Sequence, residues 1–210
     1  VLRLLFYGVF VRLFTAIVLG LNVRHRERLP SDGPAIVVAN HNSHLDTLVL
    51  ATLFPLRLLP RVQPVAAADY FLGNRLLAWL ALNLVGILPL QREVARGAED
   101  PLAPVDAALA AGRVLLFFPE GTRGEPERLS TFRNGIARLA RRHPEVPVTP
   151  VFLHGLGKAL PKGEALLVPF FCDVFVGEPL AWTGDRAAYM RQLDAAMHAL
   201  AAEGQLPPWE

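Results

Sequence analysis

Cysteine is nearly absent from this chain of 210 residues, with Cys172 alone, so no internal disulfide can form. None is needed, because a chain of this length buries a core large enough to hold without a staple. A lone thiol fits a reducing compartment or the cytosolic side of a membrane, and Cys172, set in an apolar strand-like run, reads as a small packed hydrophobe rather than a nucleophile or ligand. Charge is also scarce: Asp, Glu, Lys and Arg make up 19% of the residues, against an average of about 25%. The net charge of +2 is too small to argue for a nucleic-acid partner, and none is expected. Lysine is almost missing, Lys158 and Lys162 being the only two among 21 cations. There is no internal repeat and no low-complexity segment. What is abundant is apolar surface, 52% of the residues; this excludes a disordered tail or a coiled coil and leans the chain toward a membrane surface. The length suits one substantial α/β domain, or a domain with an anchor.

The anchor candidate is the first segment. Residues 1–23 are apolar almost throughout, broken by Arg3 and Arg12, and lead into the charged run Arg24, His25, Arg26, Glu27, Arg28. An Arg near the centre of a spanning helix costs about 2.5–3.5 kcal/mol on insertion scales. A helix lying in the interface with Arg12 snorkelling is therefore as good a reading as a true span, and both stay open. No small-residue cleavage site follows, which argues against a signal peptide. The division expected is a membrane-associated helix over 1–29 and one domain over 30–210. The basic run belongs on the cytoplasmic side, placing the protein on the cytoplasmic face of the inner membrane.

Beyond the turn formers at 30–34, residues 35–39 read as a buried strand, 43–54 as a helix and 62–67 as a second strand. Asp69 is the expected cap of an apolar helix through Leu84, ended by Gly86. Residues 87–90 make a short strand whose Pro89 belongs at an edge. A helix over 104–111 stopped by Gly112 precedes the clearest buried strand, 113–118. Ser130 or Thr131 is the expected cap of a helix to Arg142. Strands at 148–153, 166–168 and 171–176 and a terminal helix over 186–203 complete the pattern. This alternation predicts an α/β fold with a mainly parallel central sheet flanked by helices.

In such sheets ligands gather beyond the carboxyl ends of strands, so polar residues placed there come first. After the strand at 35–39 stands Asn40-His41-Asn42-Ser43-His44-Leu45-Asp46. A histidine in the loop and a carboxylate one turn into the helix can meet. Asp46 would then fix the imidazole tautomer and leave the other ring nitrogen of His41 as a general base. Ser43 in front of a helix reads as a cap rather than a nucleophile, and a simple capping pair explains His41 and Asp46 equally well on spacing alone. A metal site from His41, His44 and Asp46 lacks the usual helical zinc spacing, so no metal is expected. After the strand at 113–118 comes Phe118-Pro119-Glu120-Gly121-Thr122-Arg123. Gly121 frees the backbone, Thr122 offers a hydroxyl and Arg123 a fork suited to phosphate, against the plainer reading of an exposed Glu120–Arg123 pair. The segment Phe132-Arg133-Asn134-Gly135 starts a helix whose amides can also face an anion. A third strand end delivers Arg92. A base, its orienting carboxylate and two arginines behind an apolar anchor suit acyl transfer to the hydroxyl of a phosphate-bearing lipid.

These residues carry a family likeness. The chain resembles the 1-acyl-glycerol-3-phosphate acyltransferases, within the wider lysophospholipid and glycerolipid acyltransferases. His41 to Asp46 matches the family's His-x4-Asp, Gly86 to Arg92 its second motif, Phe118 to Arg123 its Phe-Pro-Glu-Gly-Thr-Arg, and 146–151 its Val-Pro-Val stretch. The resemblance implies that His41 is the base, that Asp46 assists it, and that Arg92, Glu120, Gly121, Thr122 and Arg123 shape the glycerophosphate site. It implies a fatty acyl group moving from acyl-CoA or acyl carrier protein to a lysophospholipid, giving phosphatidic acid from 1-acyl-glycerol-3-phosphate, with no cofactor beyond these co-substrates. Gln91 and Gly124 depart from common family residues and leave the acceptor open; lyso-ornithine lipid acylation and a metal-dependent lipid hydrolase are the alternatives. Backbone amides at the start of the helix after His41 are the candidate oxyanion donors. The apolar helices at 45–54 and 71–84 are candidates for an acyl-chain channel, and the loop 154–163, with its two lysines, for the phosphates of the acyl donor.

Overall fold

The computed structural model describes residues 1–69, 73–91, 100–122, 124, 129–160 and 168–205. Its centre is a sheet of seven strands: β1 (Leu21–Arg24), β2 (Ala35–Ala39), β3 (Val62–Ala67), β4 (Leu88–Leu90), β5 (Val114–Phe117), β6 (Val148–His154) and β7 (Cys172–Val176). The strand order is β1-β7-β6-β2-β5-β3-β4. Neighbours run parallel except β6 and β7, which pair antiparallel with Val151 opposite Val176; β1 runs parallel to β7. The fold is thus α/β with a mostly parallel sheet, as the alternating pattern predicts.

Central strands are apolar on both faces because helices cover both. Every residue of β2 and of β6 is buried, and alternate side chains go to opposite layers. Ala35, Val37 and Ala39 join one core with Tyr7 and Val11 of the N-terminal helix and Val49 and Leu50 of α3 (Leu45–Thr52). The helices of that layer are α1 (Leu2–Leu5) and α2 (Arg12–Ile17), joined through a π-helical stretch at Phe6–Val11. Ile36 and Val38 join the other core, with Val105 and Leu109 of a helix at Ala103–Ala110, Ile136 and Leu139 of one at Gly135–Arg142, and Tyr189, Leu193 and Met197 of one at Arg186–Glu203. In the Gly135–Arg142 helix Arg138, Arg141 and Arg142 take the exposed side, and the last two sit in the final turn, where the helix dipole favours cations. Pro89 lies in β4, the edge strand, where its missing N–H costs no ladder bond. Cys172 is buried in β7 and in no disulfide, as expected of a packed hydrophobe.

Four sequence expectations need correction. The first helix does not run to Val23: it ends at Ile17, and Leu21–Arg24 is a sheet strand. Leu-Asn-Val-Arg alternates half-buried with exposed side chains, a period of two. A division at 29/30 therefore cuts β1 away from the sheet it belongs to. The second correction concerns the apolar helix after β3: Asn74, not Asp69, caps its described part, accepting from the amides of Leu76 and Leu77. This helix, Arg75–Leu80, passes into a π-helical stretch at Ala81–Val85 that ends at Gly86 in the left-handed region. Third, the helix ending at Arg142 starts at Gly135 after Asn134, well beyond Ser130 and Thr131. Fourth, the strand at 166–168 falls mostly outside the described residues, and Val168 is not in a strand. The helical stretch from Leu2 to Ile17 spans sixteen residues. Among the described residues no helix is long and apolar enough to cross a membrane.

Candidate active site

Adjacent strands β2 and β5 send their connections in opposite directions: α3 leaves β2 for β3 on the N-terminal-helix face, and the Gly135–Arg142 helix carries the chain from β5 to β6 on the other. Such a switch point opens a crevice at the carboxyl ends of the two strands. The two polar motifs after β2 and β5 both arrive there.

Asn40 closes β2. Its side chain takes the place of a backbone unit: Nδ2 donates to the carbonyl of Leu153 at 2.8 Å, and Oδ1 accepts from the amide of Leu153 at 2.7 Å. The next residue turns away from the sheet. His41 Nδ1 donates to Asp46 Oδ2 at 2.9 Å, and the amides of Asn42 and Ser43 donate to the same oxygen at 2.7 and 2.8 Å. An ionised carboxylate only accepts, so Nδ1 carries the proton and Nε2 keeps a lone pair. Asp46 is 1% exposed and the His41 ring 20%; the orienting group is buried and the base reaches solvent. The ring of His41 also stacks on Phe118, centroids 4.3 Å apart. Spacing left open whether His41 and Asp46 form a dyad or merely cap a helix. The structure shows both at once: one carboxylate oxygen holds the ring and the turn that presents it.

The loop after β5 holds His41 from the other side. Glu120 Oε1 accepts the His41 amide at 3.2 Å, and the Gly124 amide donates to the His41 carbonyl at 2.8 Å. Glu120 is 4% exposed. Burial, chiefly, pushes its carboxyl up to about 7, the nearby Asp46 charge adding to this, while hydrogen bonds from His41 and Ser130 pull the other way. Glu120 is thus built into the support of His41 and does not line the cleft. Gly121 has φ +75°, and a Cβ there would lie 2.7 Å from Arg133 Nε; the missing side chain is what lets Arg133 lie across this turn. Arg133 is anchored by its amide, which donates to the Pro119 carbonyl at 2.9 Å.

These residues border a cleft of about 540 Å³. His41, Thr122 and Arg133 line its polar end, and Val65, Val85, Ile87 and Leu90 its apolar side. The second motif thus reaches the cleft through Ile87 and Leu90; Arg92 and Arg123 lie outside the described residues. The fourth motif builds the buried strand β6, with Pro150 in register with Val38. Of the channel candidates, Thr47 and Leu48 of α3 line the cleft, whereas Leu76, Leu77, Trp79 and Leu82 point outward and are exposed. The amides of Asn42 and Ser43 are taken by Asp46 and do not serve an oxyanion. Ser43 Oγ donates to the Leu160 carbonyl at 2.9 Å, which ties the end of the 154–160 segment to the His41 loop; residues 161–167 are outside the described set. Among the described residues no three His, Cys, Asp or Glu side chains gather as a metal site. Sequence reasoning missed Arg133 as a lining cation, having read only helix amides there. It also missed Asn40, whose one signal was a polar residue directly after a buried strand.

A family model described as Acyltransferase matches residues 20–154, a span that includes both loops and all the strands from β1 to β6. The chain belongs to the acyltransferase family. It is 33% identical over 162 residues to a chloroplast 1-acyl-sn-glycerol-3-phosphate acyltransferase of Arabidopsis thaliana, covering 76% of this chain and 43% of that one. It is 28% identical over 165 residues to the human 1-acyl-sn-glycerol-3-phosphate acyltransferase alpha, covering 78% of this chain and 56% of that one. The chain spans about half the length of the curated relatives it matches. The crystal structure of the 1-acyl-sn-glycerophosphate acyltransferase PlsC from Thermotoga maritima shares the fold, with TM-score 0.77 and 22% identity, over 99% of this chain and 81% of that one.

Proposed function

We propose that this acyltransferase moves a fatty acyl group from an acyl thioester, acyl-CoA or acyl carrier protein, to the free hydroxyl of 1-acyl-glycerol-3-phosphate, giving phosphatidic acid. The observation that carries the reading is the His41–Asp46 pair at the polar end of an apolar cleft that also holds Arg133. Nε2 of His41 takes the hydroxyl proton as the oxygen attacks the thioester carbonyl. The tetrahedral intermediate collapses with loss of the C–S bond, and the proton passes from His41 to the departing thiolate, so no acyl-enzyme is needed. Asp46 steadies the imidazolium formed between these two transfers. Arg133, with Arg92 and Arg123, holds the acceptor phosphate so that the hydroxyl meets His41 at reacting distance. The apolar side of the cleft takes an acyl chain.

The site works at a membrane surface, and the basic run Arg24, His25, Arg26, Arg28 assigns it to the cytoplasmic face. The observation behind this is the outward row of apolar side chains on the first helix, Val9, Phe10, Leu13 and Ile17, all at least half exposed. A helix of that kind lies in the interface rather than across it.

Thiol release by the purified chain in detergent tests the reading, with palmitoyl-CoA or acyl carrier protein as donor, with and without lysophosphatidic acid. Release that depends on the lysolipid, yields phosphatidic acid and falls by at least about 10²-fold in His41→Ala is expected from loss of a general base. Release without the lysolipid would make the protein a thioesterase, and a folded His41→Ala that keeps most of its activity would remove the mechanism.

A further inference from the structure

A second pocket lies at the opposite end of α3 from Asp46 and shares no residue with the catalytic cleft. It has a volume of about 350 Å³ and is lined by Arg12 and Thr15 from α2, Val23 from β1, Arg26, and Thr52 at the end of α3. Arg12 Nη2 donates to the carbonyl of Phe54 at 2.9 Å, and Arg26 Nη2 to that of Leu53 at 2.7 Å. The two guanidiniums are therefore held on consecutive carbonyls just past the helix end, where the helix dipole is negative. Each uses one of its five N–H donors in this way. The dipole offsets only about half a charge, so two like charges remain gathered at one crevice.

Among the described residues no carboxylate lies within ion-pair distance of Arg12 or Arg26, while the neighbours His25 and Arg28 pair with Glu203 and Glu178. No Asp or Glu occurs before Glu27. Thr15 and Thr52 hydroxyls donate to carbonyls of their own helices, Arg12 and Val49, at 2.9 and 2.7 Å. A hydroxyl oxygen so bound brings no negative charge.

We propose that the Arg12–Arg26 pocket binds a phosphate group. Paired guanidinium forks match the oxygens of a phosphate monoester or diester. The setting favours a phospholipid headgroup as its source. Phe10, Leu13 and Ile17, spaced three and four residues apart on one side of the helix that carries Arg12, are 68%, 54% and 73% exposed. With these side chains among acyl tails, Arg12 sits at the depth of the headgroups. The pocket would then fix the helix at a set depth and tilt, which hydrophobic contact alone does not do.

The test is made on the full chain. Val23→Glu places a carboxylate in the pocket with both arginines still present, Val23→Gln adds the same shape without charge, and Asn22→Glu adds the charge on the other side of β1. In detergent, 10 mM inorganic phosphate at matched ionic strength is expected to raise the melting temperature of wild type, Val23→Gln, Asn22→Glu and Arg133→Ala, the last having lost a cation of the catalytic cleft. The rise is expected to be lost in Val23→Glu and in Arg12→Gln/Arg26→Gln. Co-sedimentation with phosphatidylcholine vesicles carrying phosphatidic acid is expected to fall at least fivefold in Val23→Glu relative to Asn22→Glu, with no difference on phosphate-free galactolipid vesicles. A difference in the vesicle arm assigns the phosphate to a lipid; a difference confined to the melting arm assigns it to a free phosphate. If Val23→Glu behaves like Asn22→Glu in both arms, the pocket is no phosphate site and the proposal falls.

Discussion

Replacing Asp46 by Asn separates orientation from charge. Oδ2 of Asp46 accepts three hydrogen bonds, from the His41 ring and the amides of Asn42 and Ser43. An asparagine oxygen placed there accepts the same three, so the turn and the ring tautomer survive. What disappears is the negative charge beside the imidazolium formed during proton transfer. With charge centres about 4 Å apart and an effective dielectric of about 20, that charge stabilises the imidazolium by about 4 kcal/mol. A barrier raised by this amount lowers kcat by about 10³-fold. There is a separate stability cost, because the new NH2 falls where Asp46 Oδ1 is now buried without a partner among the described residues. An unsatisfied donor of this kind costs about 1–3 kcal/mol. Thiol release should therefore be measured at a temperature where circular dichroism shows the variant folded. The double variant Asp46→Asn/His41→Ala should be no slower than His41→Ala alone, since the carboxylate acts only through the ring. A loss of less than tenfold in folded Asp46→Asn, or a double variant much slower than His41→Ala, would refute the argument and leave Asp46 as a helix cap.

Glu120 carries a pH signature. Its carboxyl, pushed from 4.5 up to about 7, binds a proton in the folded state that the unfolded state has lost, so its contribution to folding stability is fully present below about pH 4.5 and is lost as pH rises through 7. At 1.36 kcal/mol per unit the loss across this window is about 3 kcal/mol. Glu120→Gln keeps an acceptor for the His41 amide, and in denaturant melts its stability relative to wild type should grow between pH 5 and 7.5; parallel profiles would refute the assignment. Arg133→Ala should raise KM for lysophosphatidic acid about tenfold or more, from loss of a charged hydrogen bond worth about 1.5–3 kcal/mol, with kcat little changed; an unchanged KM would remove Arg133 from the acceptor site. Gly121→Ala should raise the same KM although no charge is lost, because its Cβ displaces Arg133 and its φ of +75° strains any L side chain; wild-type kinetics would show that Arg133 needs no such clearance.

The alternation of apolar strands with amphipathic helices determined the α/β class. Local chemistry is enough for that: residues 35–39 are apolar without a break and bounded by turn formers, and the Asp185-capped helix from Arg186 to Glu203 repeats its buried face every three or four residues. That His41 and Asp46 can meet was legible for the same reason, since only four residues separate them and fix their distance locally; whether the pair is more than a helix cap was not. β1 was not legible. Leu21 and Val23 are strand residues only because β7, some 150 positions away, offers an edge, and next to a long apolar run they read as its continuation. The clasp on the His41 backbone by Glu120 and Gly124, the close approach of Arg133 to Gly121, and the gathering of Arg12 and Arg26 at the end of α3 likewise join residues distant in sequence. Spacing along the chain carries information only across about one helical turn or one strand pair; which distant loops meet is set by strand order and crossover direction, and these exist only once the sheet has formed.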